Sequence, residues 1–302
     1  MEKIISEILP VILFFVVGYI LKIFKIFKKD NGDILLKIVF YIALPALIVI
    51  SLSQSRLTSE FIFLPFISTG IIVVTYFIAR ITAKYLKLEQ KTLGTFLVGT
   101  MILNIGFMLP FIIAAFGEEG LSRIIIMDMG NGIMVFTFIY FQACKYGSHQ
   151  KHKKTIYKRF LLAPPIWAIF AGLILNFTKV EITGITYNFF KIAGDLTIPL
   201  LMLSVGIFFE PKIVKLPAMI SVIAIRMGLG LLLGCLITEI LGLEGLTRAI
   251  VILGSTTPVG YNTLTFSSIE NLDKEFAASI LSVSIFIGIF YVPLLIYLFQ
   301  PL

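Results

Sequence analysis

The sequence predicts an all-α polytopic membrane protein in which ten transmembrane helices form two inverted repeats of five. Of its 302 residues, 58% are hydrophobic and only 14% are charged, and the mean hydropathy is +1.02. These values lie outside the range of a domain whose surface faces water. Proline and glycine residues recur at one fixed spacing, and basic clusters recur between alternate apolar segments. The composition thus predicts a membrane environment, the basic clusters predict the orientation of the spans, and the recurring residues predict a duplication.

Ten apolar segments follow one another, and each is long enough, at roughly 20 residues, to cross a hydrocarbon layer of about 30 Å. The first is interpreted as a retained span rather than a signal peptide, because it contains Glu7 and lacks a small-residue cleavage site. The spans leave no room for a soluble domain. We place them at Ile4–Phe24, Ile34–Leu52, Phe61–Tyr85, Leu93–Phe116, Leu121–Tyr146, Ile156–Phe177, Ile185–Phe209, Ile213–Leu241, Leu246–Phe266 and Phe276–Phe299.

Basic residues gather after the first, third and fifth spans, and positively charged loops stay in the cytoplasm. The protein is predicted to lie in the plasma (inner) membrane of a bacterium, with both termini outside. The net charge of +8 is explained by this topology and by contact with anionic lipid headgroups, so nucleic acid is not needed as a partner. Only the ninth loop, with Glu270, Asp273, Lys274 and Glu275, is acidic and departs from the pattern. The basic clusters are Lys22, Lys25, Lys28 and Lys29; Arg80, Lys84, Lys87 and Lys91; and Lys151, Lys153, Lys154, Lys158 and Arg159.

The two halves of the chain repeat at a spacing of 154 residues. Prolines and glycines inside apolar helices cost stability, so their joint recurrence indicates a duplication. We assign residues 1–146 to the first repeat, 147–160 to a basic cytoplasmic linker and 161–302 to the second repeat. Because five spans is an odd number, the second repeat enters the membrane from the opposite side and the repeats are inverted. The recurring pairs are Pro10 and Pro164, Gly18 and Gly172, Pro45 and Pro199, and Gly106 and Gly260.

Inverted repeats are typical of secondary transporters, whose substrate site lies near the bilayer midplane at helices that break there. Polar and helix-breaking residues interrupt the fourth span around Asn104 and the ninth span at Gly254–Thr263. Pro258 aligns with Asn104 at the same spacing of 154, so the two broken helices are predicted to cross. The predicted substrate-binding residues are Asn104, Gly106, Pro258, Gly260, Tyr261 and Asn262.

A break of this kind favours an anion. It leaves unpaired N–H groups and the positive end of a half-helix dipole, which attract a carboxylate in a low dielectric. Asn104 and Asn262 add neutral donors without the desolvation cost of a buried cation. In the alternative interpretation, Asn104, Pro258 and Asn262 only satisfy backbone groups that the kinks release.

Four motifs together resemble the auxin efflux carrier family, which includes the plant PIN-formed auxin exporters and bacterial carriers of dicarboxylates such as malate and malonate. They are Asn104–Pro110 followed by Phe116–Gly117, Pro258–Gly260, Ile198–Leu200 with Ser204–Gly206, and Asp128–Asn131. The resemblance implies a scaffold of spans one, two, six and seven, and a transport domain of spans three to five and eight to ten that contains the crossing. It also implies a homodimer formed through the scaffold. Where relatives often have small apolar residues, this chain has Tyr261–Thr263, which predicts a more polar pocket.

The remaining intramembrane polar residues are candidates for coupling or for a structural polar network. Asp128 and Asn131 share a helix face and either couple transport to a proton or form a packing hydrogen bond. Asp195 either caps the kinked segment before Pro199, lines the cavity, or lies at the outer interface. Arg226 requires a carboxylate, with Asp128 or Asp195 as candidates, or several carbonyls. Pro45 and Pro199 are predicted to be symmetric helix kinks in the scaffold.

The sequence predicts no enzyme, metal site or cofactor. It has no zincin motif, no Gly-x-Ser-x-Gly, no nucleotide loop and no histidine within a span. His149 and His152 lie in a charged loop without a third ligand nearby, and Cys144 and Cys235 are too few for a cluster.

The predicted function is therefore a secondary carrier for a small organic anion, a dicarboxylate or an auxin-like acid, working by elevator-type alternating access with proton coupling or none. The scarcity of intramembrane carboxylates argues against a multi-ion sodium site. The alternatives are a sodium-coupled anion symporter of related fold and a channel-like or ligand-sensing membrane protein.

Overall fold

The fold is described from a computed structural model, which describes residues 2–54, 59–147 and 164–300. These residues are almost entirely helical, as the composition predicts. The α-helices are α1 (Glu2–Ile23), α2 (Lys29–Ile38), α3 (Leu44–Gln54), α4 (Leu64–Leu86), α5 (Gln90–Met101), α6 (Ile105–Met134), α7 (Tyr140–Tyr146), α8 (Pro164–Thr178), α9 (Gly184–Asp195), α10 (Thr197–Phe208), α11 (Leu216–Ile223), α12 (Gly230–Ile240), α13 (Gly245–Ser255), α14 (Asn262–Ile269) and α15 (Lys274–Phe299).

Several of these helices join into longer apolar segments through π-helical turns at Val39–Ala43, Val135–Ile139 and Ala224–Leu229. In the described part of the chain, six helical segments are long and apolar enough to cross a membrane. Shorter apolar helices lie at Ile8–Ile23, Pro164–Thr178 and Gly245–Ser255. The all-helical class and a multiple-span character agree with the sequence, whereas the count of ten spans stays a prediction. The six segments are Asp30–Gln54, Glu60–Leu86, Ile105–Tyr146, Gly184–Phe208, Leu216–Ile240 and Lys274–Phe299.

One predicted boundary coincides with a kink in α6. The segment Ile105–Met134 consists of two helices that meet at the non-helical residue Gly117, between the predicted fourth and fifth spans. Gly117 has φ 60° and ψ −151°, a conformation that a side chain would strain. The predicted start of the sixth span, the basic linker beyond Gly147, and both histidines lie outside the described residues, and α8 begins at Pro164.

The chain divides into two compact units. Unit one contains α1–α3, α8–α10 and residues 109–125 of α6, and unit two contains α4, α5, α7, α11–α15 and the rest of α6. In unit one, the two prolines that the sequence predicts as helix kinks coincide with a change in helix geometry. Pro45 follows the π-helical turn Val39–Ala43, and Pro199 follows the interruption between α9 and α10 at Leu196. Proline cannot donate the hydrogen bond that a continuous helix would require there.

Glycine residues set the closest helix contacts of unit one. A Cβ at Gly18 would lie 2.2 Å from the carbonyl oxygen of Leu203, and one at Gly206 would lie 2.2 Å from that of Phe15. Helices α1 and α10 therefore touch backbone to backbone, as small residues permit in membrane proteins. A Cβ at Gly172 would lie 3.4 Å from the carbonyl oxygen of Val49, where α8 meets α3.

In unit two, one polar cluster joins the N-terminal ends of α5, α11 and α15. Lys215 donates to Asp273 Oδ2 at 2.6 Å and to Thr92 Oγ1 at 2.6 Å, and Asp273 Oδ1 accepts from the Phe276 amide at 3.0 Å. Desolvation opposes ionisation of Asp273, but the bonds from Lys215, Phe276 and Thr92 outweigh it, so the pKa of this carboxyl lies below its usual value. Asp273, in the acidic ninth loop, is therefore a charged N-terminal cap of α15.

We predict that Gly18→Ala lowers the melting temperature of the purified protein in detergent by several degrees, since overpacking a helix contact costs about 1–3 kcal/mol. Gly70→Ala is the matched control, because a Cβ at Gly70 in α4 would meet nothing within 4 Å. Melting followed by tryptophan or dye fluorescence measures both. Equal melting temperatures for the two variants would contradict the close α1–α10 contact.

A crossover of two broken helices as the candidate site

Two interrupted helices meet within unit two. Helix α5 ends at Met101 and α6 begins at Ile105, while α13 ends at Ser255 and α14 begins at Asn262. Between these ends the chain is extended, and Leu103 and Val259 pair as an antiparallel β-bridge. Two helix C-termini and two helix N-termini thus lie at one crossing, around the residues that the sequence predicts for the substrate site.

Asn104 joins the two broken helices through both its side chain and its main chain. Its Oδ1 accepts a hydrogen bond from the Phe107 amide at 3.1 Å and caps α6, and its Nδ2 donates to the Val259 carbonyl at 2.9 Å. Its own amide donates to Thr257 Oγ1 at 2.9 Å. The side chain is 3% exposed, so both ends of the amide are used to hold one broken helix against the other.

Asn131 and Asp128 support the first break from the second half of α6. Asn131 Oδ1 accepts from the Leu103 amide at 3.2 Å, and its Nδ2 donates to the Leu103 carbonyl at 3.3 Å and to Asp128 Oδ1 at 2.7 Å. The predicted Asn131–Asp128 pair is therefore present, and Asn131 links it to the crossing. Asp128 is only half-buried.

The second break has an equivalent support that sequence reasoning missed. Ser284 Oγ in α15 accepts a hydrogen bond from the Val259 amide at 3.1 Å. Ser284 lies 154 residues after Gly130, next to the repeat position of Asn131, and this offset is the signal that could have revealed it. Each partner in the Leu103–Val259 bridge thus has a buried polar side chain on a neighbouring helix.

Arg226 bonds to carbonyls at the ends of both incoming half-helices. Its Nη1 donates to the Thr100 carbonyl at 3.1 Å and the Met101 carbonyl at 3.4 Å, and its Nη2 donates to the Ser255 carbonyl at 2.6 Å. These residues end α5 and α13. Of the two kinds of partner expected from the sequence, the structure thus supplies carbonyls rather than Asp128 or Asp195.

The glycines at the crossing have different roles. A Cβ at Gly260 would lie 2.2 Å from Ile102 Cγ2, so the crossing needs glycine there for close approach. A Cβ at Gly106 would meet only Asn104 Oδ1, at 3.9 Å, and Gly106 is half-buried. Gly106 therefore leaves space beside the first turn of α6. The ring of Pro258 packs against Gly288, where an added Cβ would lie 2.7 Å from the Pro258 Cγ.

Unsatisfied polar groups lie at the start of α14. Asn262, its first residue, is half-buried and its side chain makes no hydrogen bond within the described chain. Among the described residues, the buried hydroxyls of Tyr261 and Thr263 also have no partner. Buried polar groups are normally satisfied, so the two buried hydroxyls, with the half-buried Asn262 at the same helix start, suit a polar ligand.

Asp195 lies in unit one, apart from this set of contacts. Its carboxylate pairs with Lys191 at 3.2 Å, one turn earlier on α9, and the two side chains are 65% and 55% exposed. Pro199, four residues later, is in the first turn of α10. The structure therefore does not place Asp195 in one network with Asp128 and Arg226. Across residues 2–54, 59–147 and 164–300, no group of three His, Cys, Asp or Glu side chains could hold a metal ion.

A family model described as membrane transport protein matches residues 3–296. The chain is 29% identical over 282 residues to an uncharacterized transporter of Methanocaldococcus jannaschii, covering 90% of this chain and 91% of the relative. It is 26% identical over 296 residues to an uncharacterized transporter of Methanothermobacter thermautotrophicus, covering 96% of each. The fold and site are thus those of a multi-pass membrane protein, and the chain belongs to the membrane transport protein family, the auxin efflux carrier family that its motifs resemble. This is a family of transporters rather than of enzymes.

We predict that Asn104→Ala lowers the stability of the fold and that Asn262→Ala does not. Asn104→Ala removes a helix cap, which costs about 1 kcal/mol, and leaves the buried Val259 carbonyl without its partner. Its melting temperature in detergent should fall by several degrees. Asn262→Ala removes no bond within the fold, so its melting temperature should stay unchanged. Thermal melting of both variants tests this difference, and a fall of equal size in Asn262→Ala would show that its side chain is structural.

Proposed function

We propose that this protein is a secondary carrier for a small organic anion, bound at the crossing of α5–α6 and α13–α14 and moved by elevator-type alternating access. The single observation that carries the proposal is the meeting of two helix N-termini beside polar side chains that the fold leaves unpaired. The first N–H groups of a helix have no partner within it, and they favour negative charge. A carboxylate supplies the negative charge that helix N-termini favour, and its oxygens accept hydrogen bonds from unpaired polar groups.

Matched contacts in unit one support two inverted repeats and hence ten spans. Gly18 contacts Leu203, and Gly172 contacts Val49. The two pairs are repeat equivalents, since 172 − 18 and 203 − 49 both equal 154. The ends of α1 and α8 make similar but not equivalent contacts. Lys22 donates to the Phe209 carbonyl at the end of α10, and Asn176, 154 residues later, donates to the Leu52 carbonyl in the last turn of α3, three residues before the repeat equivalent of Phe209.

The division into two units supports the assignment of a scaffold and a transport domain. Unit one contains the helices of predicted spans one, two, six and seven together with residues 109–125 of the predicted fourth and fifth spans, and unit two contains the crossing with its supporting helices. In an elevator mechanism the unit that holds the substrate moves as one body, so its polar contacts should be internal to it. The contacts of Asn104, Asn131, Arg226 and Ser284 at the crossing all lie within unit two.

The finer parts of the proposal follow from the charge pattern and the family. The termini lie outside the cell membrane, the carrier is a homodimer through its scaffold, and the substrate is a dicarboxylate or an auxin-like acid. Asp128, half-buried and joined to the crossing through Asn131, is the proposed proton-coupling group.

Uptake into proteoliposomes tests the proposal. We predict saturable uptake of at least one radiolabelled acid from a panel of malate, malonate, lactate and indole-3-acetate, with counterflow after preloading. Asn262→Ala should raise the half-saturating concentration about tenfold, since it removes a donor to a charged group. Asn188→Ala, an exposed asparagine of α9, is the matched control and should behave as the unchanged protein.

Imposed pH, sodium and voltage gradients, varied one at a time, identify the coupling ion. Uptake that follows the pH gradient supports the proposed role of Asp128, and uptake that follows sodium favours the symporter alternative. Specific binding of an acid without saturable flux would contradict the carrier and favour a sensor.

A further inference from the structure

Arg226 is a buried cation whose hydrogen-bond partners are all main-chain carbonyls. The side chain is 0% exposed, and its three bonds go to Thr100, Met101 and Ser255. Among the described residues its Nε has no partner and no carboxylate lies within ion-pair distance. A charged residue inside a membrane segment costs about 2.5–3.5 kcal/mol, so the crossing retains this charge at a real energetic cost.

The partners of Arg226 are the negative ends of two helices. The carbonyls of Thr100 and Met101 end α5, and that of Ser255 ends α13. A helix carries roughly −0.5 elementary charge at its C-terminus and roughly +0.5 at its N-terminus. At the crossing, the negative ends of α5 and α13 therefore roughly cancel the positive ends of α6 and α14. Four helix ends alone would leave the site with little preference for an anion.

We infer that Arg226 gives the crossing its positive charge and thereby selects an ionised carboxylate. Its guanidinium neutralises the C-terminal ends of α5 and α13, so the N-terminal ends of α6 and α14 remain uncompensated beside Asn262. The crossing then carries roughly one net positive charge, which matches one carboxylate. This inference rests on the proposed function and deepens it, because it names the charge of the group that binds and the residue that sets it.

Arg226 acts without contacting the substrate. Its side chain has no accessible surface, and its described contacts are with the backbone, so it is a positioning residue. A cation exposed to the substrate would form a direct ion pair and slow its release, whereas a charge behind two helix ends acts through the field. The repeat gives further support for a specific role, because the position 154 residues before Arg226 is Ile72 and the charge is not duplicated.

The test compares Arg226→Gln with Arg226→Lys. Glutamine donates to carbonyls without charge, and lysine keeps the charge with a different geometry. Binding is measured in detergent with the acid of the transport panel that binds most tightly, and with its neutral primary amide as competitor. Melting temperatures are measured on the same samples. Arg248→Gln is the matched control, because Arg248 lies in the same unit with its side chain 48% exposed.

We expect the unchanged protein, Arg248→Gln and Arg226→Lys to prefer the carboxylate over the amide. Arg226→Gln should lose about tenfold or more in affinity for the carboxylate, while its affinity for the amide changes little. If Arg226→Gln prefers the carboxylate as strongly as the unchanged protein does, the inference is overturned and Arg226 has only a structural role.

Two further outcomes remain decisive. If Arg226→Gln does not fold, Arg226→Lys carries the test. If Arg226→Lys keeps its preference for the carboxylate despite a lower melting temperature, the charge role is supported. If its preference for the carboxylate falls together with its melting temperature, the inference is overturned. If the unchanged protein binds no acid of the panel, the proposed function fails together with this inference. If it binds an acid and only the Arg226 comparison fails, the carrier proposal stands.

Discussion

The structure depends on one constraint, which is that main-chain polar groups released where two helices break inside a membrane must find partners. No water is present in the hydrocarbon region to satisfy them. Here the bridge between Leu103 and Val259, the side chain of Asn104 and the guanidinium of Arg226 supply partners at the breaks. Among the described residues, the buried hydroxyls of Tyr261 and Thr263 at the start of α14 have no partner. The same arrangement therefore stabilises the break and carries the proposed ligand site.

The two breaks are supported in similar ways but with different chemistry. Asn131 holds Leu103 from α6, and Ser284 holds Val259 from α15, at positions that differ by one residue from a perfect repeat. Arg226 has no such counterpart, since Ile72 occupies the equivalent position. In the proposed pair of repeats, Arg226 is therefore a charge that only the second repeat carries, as the proposed recognition of a negative ligand requires.

Much of this arrangement could be predicted from the sequence. The break at Asn104, its pairing with the ninth span and the Asn131–Asp128 pair follow from polar residues inside apolar runs, where each polar group needs a partner. The kink at Gly117 falls between the predicted fourth and fifth spans, where Gly117 with Glu118 and Glu119 has the composition of a loop. The carbonyl partners of Arg226 could not be predicted, since backbone acceptors leave no mark in a sequence. The sequence left Asp195 open between a cap, a cavity position and the outer interface, because hydropathy does not reveal its i,i+4 pair with Lys191.

The most direct test of the central claim is an experimental structure of the protein with a brominated acid, chosen from those that show saturable uptake, with the halogen located by its anomalous signal. The account predicts the carboxylate beside Asn262, between the N-terminal ends of α6 and α14, and the bromine of the same molecule at the crossing. An acid bound elsewhere, with the crossing unchanged and empty, would contradict it.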